Sequence, residues 1–112
     1  MINEKDFYFG VPFSGCEKHI KNPIITARED EAVSMAVGAM LAGKKPLVFL
    51  QNSGLGNCFD VLTSLCIPYG IEPDILVDNR IEPEHHRVMG ERCAELMKVI
   101  GYENVSYLEE VG

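Results

Sequence analysis

The stretch Gln51-Asn52-Ser53-Gly54-Leu55-Gly56-Asn57 gathers amides, a hydroxyl and two glycines behind the apolar run Pro46 to Leu50 and ahead of a helical pattern. Between a buried strand and a helix it reads as a phosphate-loop-like turn, with backbone N–H groups and small side chains facing a crevice that no bulky Cβ obstructs. Such a turn holds a cofactor or an anionic substrate; in an ordinary strand-to-helix turn, Asn and Gly would merely supply unusual dihedrals. A second polar cluster, Arg28-Glu29-Asp30-Glu31, follows the apolar segment Ile24 to Ala27. Taken alone, these acids read as helix-start residues favoured by the macrodipole. Their place behind a strand brings them to the same sheet edge as the glycine segment.

His85 and His86 sit on a polar segment, where imidazole is either solvated or tuned near neutrality for acid–base work. Cys16, Cys58, Cys66 and Cys93 form no C-x-x-C pair. They read as small buried thiols of a reducing compartment. Nothing in the spacing of His19, His85, His86 and the cysteines asks for zinc, so no metal site is expected in this chain.

The elements that must position these groups alternate. Phe7 to Val11 reads as a strand stopped by Pro12, followed by a brief helix over Ser14 to Lys21 with Ser14 as a possible N-cap. Ile24 to Ala27 is a second strand. Ala32, Met35, Ala36, Ala39 and Met40 share one helical face ended by Gly43, a stripe that reads as core or subunit interface. Pro46 to Leu50 is a third strand, continuous enough in apolar residues to be covered on both faces. Phe59, Leu62, Leu65 and Cys66 mark a helix that stops before Pro68. Ile75 to Val77 is a fourth strand, Asp78 to Arg87 a loop, Met89 to Ile100 a helix, and Val105 to Leu108 an edge strand. This alternation predicts an α/β three-layer sandwich around a central parallel sheet with right-handed crossovers.

Composition narrows the function classes. The 112 residues make one domain spanning 1–112, near the lower end for a sheet covered on both faces, so burial is expected to be completed against a partner. A net charge of -7 leaves no basic stripe for a nucleic-acid backbone. No apolar run approaches the roughly 20 residues that span a bilayer, and the polar start Met1 to Asp6 lacks the order of a signal peptide. A cytoplasmic protein without membrane or nucleic-acid partners is expected.

Three runs taken together, Thr26 to Val33, Gly38 to Pro46 and Gln51 to Asn57, resemble the pyrimidine-binding (PYR) domain of thiamine diphosphate-dependent decarboxylases. The nearest branch is that of sulfopyruvate decarboxylase alpha subunits and phosphonopyruvate decarboxylases. Gly10-Val11-Pro12-x-Ser14 and Glu82-Pro83-x-x-His86 followed by Met89-Gly90 extend the resemblance over nearly the whole chain. Two departures stand out: the first crossover, between Pro12 and Ile24, is short, and Asp78-Asn79-Arg80-Ile81 stands where the branch carries an Arg-Gly pair. The Gly-Asp-Gly…Asn motif, with which the family binds magnesium and the diphosphate, does not occur.

The resemblance implies thiamine diphosphate as cofactor and Mg2+ held by a separate beta subunit that carries the diphosphate-binding motif, in a hetero-oligomer. It implies decarboxylation of 3-sulfopyruvate or 3-phosphonopyruvate to the aldehyde and carbon dioxide. Glu29 matches the family glutamate that hydrogen-bonds N1′ of the aminopyrimidine. By the same correspondence Gln51, Asn52, Ser53, Gly54 and Asn57 are cofactor-binding, Ser14, Asn52 and Ser53 face the substrate, and His86 joins Glu29 in catalysis. Arg28 and Arg80 are candidate partners of a sulfonate or phosphonate, against ordinary surface ion pairing. Two alternatives stand beside this reading: a carboligase of the acetolactate synthase type, and a non-catalytic binding module, which would have no need of a carboxylate at position 29.

Overall fold

The computed structural model describes residues 2–109. Five parallel strands, β1 (Phe7–Gly10), β2 (Ile24–Ile25), β3 (Pro46–Gln51), β4 (Asp74–Asn79) and β5 (Val105–Glu109), lie in the order β2-β1-β3-β4-β5. The chain leaves β1 for one edge, returns past it through α1 (Glu29–Leu41) to β3, and then steps steadily outward. Strand order therefore reverses between β1 and β3, and in open α/β sheets the crevice beyond the carboxyl ends at such a point is where ligands bind.

Strand alternation divides the core in two. On one face Phe9, Val48, Leu50, Ile75 and Val77 pack against Ala32, Val33, Ala36 and Val37 of α1, against Leu55, Cys58, Leu62 and Cys66, and against Cys93 and Met97 of α5 (Arg87–Ile100). The other face, Leu47, Phe49 and Leu76, is covered by Phe13, Cys16 and Ile20 of the short first crossover. Right-handed connections impose this split, because only the β1-to-β2 step runs leftward. The fold is the expected α/β three-layer arrangement, with a third layer no thicker than one 3-10 turn, Cys16–Lys18.

Several local expectations are corrected. The glycine segment is not a loop: helix starts at Asn52, directly behind β3, as α2 (Asn52–Leu55), and continues through a 3-10 turn, α3 (Phe59–Val61), a π segment (Leu62–Cys66) and α4 (Ile67–Tyr69). Among the described residues the glycines with positive φ are Gly15, Gly43, Gly70 and Gly101, so Gly54 and Gly56 serve no unusual dihedral. Pro68 does not stop the helix. It lies in α4, just behind the π segment, where Thr63 Oγ1 donates to the carbonyl of Phe59 at 2.6 Å.

The stripe on α1 divides: Ala32 and Ala36 are fully buried core with Ala39 packed beside them, whereas Met35 is exposed. Ser14 is not an N-cap, since the turn opens on Gly15 at φ 82 without a side-chain cap. β2 shortens to two residues because the Thr26 hydroxyl donates to the Arg28 carbonyl at 2.9 Å and turns the chain. Asp78 and Asn79 belong to β4 and are buried rather than looped out.

Candidate active site

Parallel strands deliver the ends of β1, β2, β3 and β4 to one edge, and the candidate residues collect there. The three acids behind β2 separate into different roles. Glu31 Oε1 accepts from the Ala27 N–H at 2.8 Å, and Asp30 Oδ1 accepts from the Glu31 N–H at 3.1 Å, so both satisfy donors at the start of α1. Asp30 also pairs with Arg28 at 3.0 Å, and that guanidinium holds its carboxyl below the usual carboxylate range. Glu29, half-buried, turns instead toward α2.

Glu29 Oε1 accepts from Asn57 Nδ2 at 3.0 Å. Its carboxyl group lies across Gly54 so closely that a Cβ there would stand 2.3 Å from Oε2 and 2.4 Å from Cδ and Cγ. Glycine at 54 therefore makes room for a carboxylate rather than for a turn. Cys58 lies beneath; burial and the Glu29 charge push its thiol up to about 12, so it stays protonated near neutrality and is no nucleophile.

On the other side of α2, Asn52 is fully buried, and its amide bonds main-chain groups of Arg80 and His86. His86 is 5% exposed, at the end of the 3-10 turn Glu84–His86, whereas its neighbour His85 is solvated and packs its ring at 4.0 Å. Arg80 Nε pairs with Asp78 Oδ2 at 2.6 Å and Nη2 donates to the Ser14 carbonyl at 3.0 Å. Arg28, by contrast, stays on the surface with Asp30. Gln51 is half-buried, and Ser14, Ser53 and Asn57 are exposed at this edge.

Cys93 reads in the sequence only as a buried thiol and Asn79 only as part of a loop, and the contact between them escapes that reading. Asn79 Nδ2 donates to the Gly90 carbonyl at 3.1 Å, and Cys93 Sγ lies 2.9 Å from Asn79 Oδ1. No periodic signal marks the pairing, because it runs between a strand end and the helix after it. Among the described residues no group of three or more His, Cys, Asp or Glu is placed to hold a metal ion, and no helix is long and apolar enough to cross a membrane.

Comparison with known proteins yields one consistent set. The sulfopyruvate decarboxylase subunit alpha of Methanocaldococcus jannaschii is 39% identical over 64 residues, 57% of this chain and 37% of that protein. The corresponding subunit of Methanothermobacter thermautotrophicus is 45% identical over 53 residues, 47% of this chain and 32% of its own length. The phosphonopyruvate decarboxylase of Streptomyces viridochromogenes is 34% identical over 86 residues, 71% of this chain and 21% of that enzyme. The chain thus spans about a third of the length of the alpha subunits it matches. No family model matches it. Over part of its length the chain is a homologue of sulfopyruvate and phosphonopyruvate decarboxylases.

Proposed function

We propose that this chain is the pyrimidine-binding part of a thiamine diphosphate-dependent 2-oxo acid decarboxylase acting on 3-sulfopyruvate or 3-phosphonopyruvate. The observation that carries the reading is Glu29: of three adjacent acids it alone leaves the helix start, and it lies on a bare glycine backbone with one oxygen held by Asn57. A carboxyl group so placed suits the nitrogen N1′ of an aminopyrimidine. When bound, thiamine diphosphate supplies the electron sink that lets a 2-oxo acid lose carbon dioxide.

The residues of this chain then have separable tasks. Glu29 holds the proton shared with N1′, and Asn57 fixes the carboxyl orientation so that Oε2 remains for that contact. Gly54, having no Cβ, lets the carboxyl lie close against the α2 backbone. Arg80 and His86 stand at the neighbouring strand end, on the side where an anionic substituent would be received. The diphosphate and Mg2+ belong, in this reading, to a beta subunit carrying Gly-Asp-Gly…Asn, which completes a hetero-oligomer.

The test is Glu29→Gln in the complex reconstituted with that subunit. The amide keeps the shape but cannot deliver the proton, so decarboxylation should fall on the order of 10²–10⁴-fold, with assembly and cofactor affinity retained. Asp30→Asn and Glu31→Gln should leave turnover near the unmodified rate. Calorimetry should show tight, magnesium-dependent cofactor binding only with the partner present. Unchanged turnover by Glu29→Gln, or tight binding by the chain alone, would refute the assignment.

A further inference from the structure

We infer that Asn52 is a positioning residue, whose buried amide locks the segment from Arg80 to His86 onto the end of β3 and so sets where both side chains meet the substrate. The inference rests on the function proposed above for its consequence in catalysis, but the joint itself is geometric. Asn52 is 0% exposed, and each polar atom of its side chain is engaged by main chain. Nδ2 donates to the Arg80 carbonyl at 2.8 Å and to the His86 carbonyl at 3.2 Å, while Oδ1 accepts from the Arg80 N–H at 3.1 Å.

The arrangement follows from how β3 ends. The parallel ladder between β3 and β4 reaches Gln51 and Asp78, after which the backbone at 52 turns into helix and can no longer pair with its neighbour. The Asn52 side chain takes over, offering a donor and an acceptor to both main-chain groups of Arg80, and thereby extends the ladder past its backbone end. A carboxylate here would face two carbonyls with no donor, and an aliphatic side chain would take the acceptor from the Arg80 N–H and the donors from the Arg80 and His86 carbonyls.

The first turn of α5 closes on the same carbonyl. A Cβ at Gly90 would stand 2.0 Å from the Arg80 oxygen and 3.2 Å from Asn52 Nδ2, and Asn79 Nδ2 donates to the Gly90 carbonyl at 3.1 Å. Arg80 passes the constraint on through its guanidinium, bonded to Asp78 and to the Ser14 carbonyl. Residues from the ends of β1, β3 and β4 are thus referenced to one buried amide. Both donors of the amide are taken by main chain, so Asn52 offers a ligand no hydrogen and its effect is read through Arg80 and His86.

Amide hydrogen exchange on the whole chain tests the joint without any assay of activity. Asn52→Ala removes all three bonds, and Asn52→Asp keeps the volume and the acceptor but removes both donated bonds. In Asn52→Ala the Arg80 amide, which loses its acceptor, should exchange roughly tenfold faster or more, and in both variants the His86 amide, whose own bond is to the Pro83 carbonyl, should exchange faster as the released 3-10 turn opens, with β1 and β3 still protected. In the reconstituted complex KM for the anionic 2-oxo acid should rise by a similar factor while thiamine diphosphate affinity holds. Unchanged exchange at 80 and 86, protection lost uniformly through β1 and β3, or weakened cofactor binding at unchanged KM would each overturn the proposal. If the unmodified complex shows no decarboxylation, the functional reading fails, yet the exchange result still decides the joint.

Discussion

Glu29, Asp30 and Glu31 are chemically near-identical neighbours, and what separates them is the partner each finds. Two caps and one surface ion pair account for Asp30 and Glu31. Glu29 depends on a missing side chain, since any Cβ at 54 overlaps its carboxyl group. That dependence yields a prediction in which stability and activity part company. Gly54→Ala places alanine in a helix, worth roughly 0.5–1 kcal/mol in favour of folding, and the nearest obstacles are Cγ, Cδ and Oε2 of the half-buried Glu29, a side chain that can rotate about χ1 to clear them. The urea midpoint should therefore hold or rise, while decarboxylation in the complex falls about as far as in Glu29→Gln. Loss of stability without loss of activity would show that Gly54 serves packing alone.

Among the elements, β1 and β3 approach each other in a way that depends on Gly10. A Cβ at that position would lie 2.0 Å from the Phe49 carbonyl and 2.7 Å from its ring, the same carbonyl to which Val11 N–H donates at 3.3 Å. Backbone cannot yield as a side chain can, so Gly10→Ala should destabilise by about 1–3 kcal/mol or more, the range for overpacking, read as a lowered denaturation midpoint. The alternation of strand and helix was legible because short continuous apolar runs, bounded by Gly, Pro or charged residues, alternate with segments whose apolar residues recur with a period of 3.6. The glycine segment was misread as a turn because one string of residues serves either a special dihedral or a close approach, and only the neighbour decides. Burial at His86 and exposure at His85 follow from a 3-10 turn that polar composition hides. The Asn52 joint spans 28 and 34 residues, beyond any local pattern.

For the molecule as a whole, the two sheet faces are unequally defended. Among the described residues helices cover one, and the other relies on Phe13, Cys16 and Ile20 of a short crossover held at Ser14 by Arg80, with Ile2 beside them. The ring of Phe13 meets Phe49 edge-on at 6.4 Å, so the middle of the sheet lies one irregular segment from solvent. A single short turn, closed by four local backbone hydrogen bonds within Phe13 to Ile20, opens at lower free energy than the helices opposite.

That asymmetry turns four unremarkable thiols into a clock. Cys16 sits on the lightly covered face, and Cys58, Cys66 and Cys93 lie on the helical one. Burial further pushes Cys58 to about 12 and Cys66 to about 11, which starves both of reactive thiolate. Under a maleimide reagent in the absence of denaturant, Cys16 should therefore be labelled first and alone, with a rate little affected by mild urea. The other three should follow together, at a rate that climbs steeply with urea because they wait on global unfolding. Simultaneous labelling of all four would mean that the thin layer and the helical layer open as a single unit.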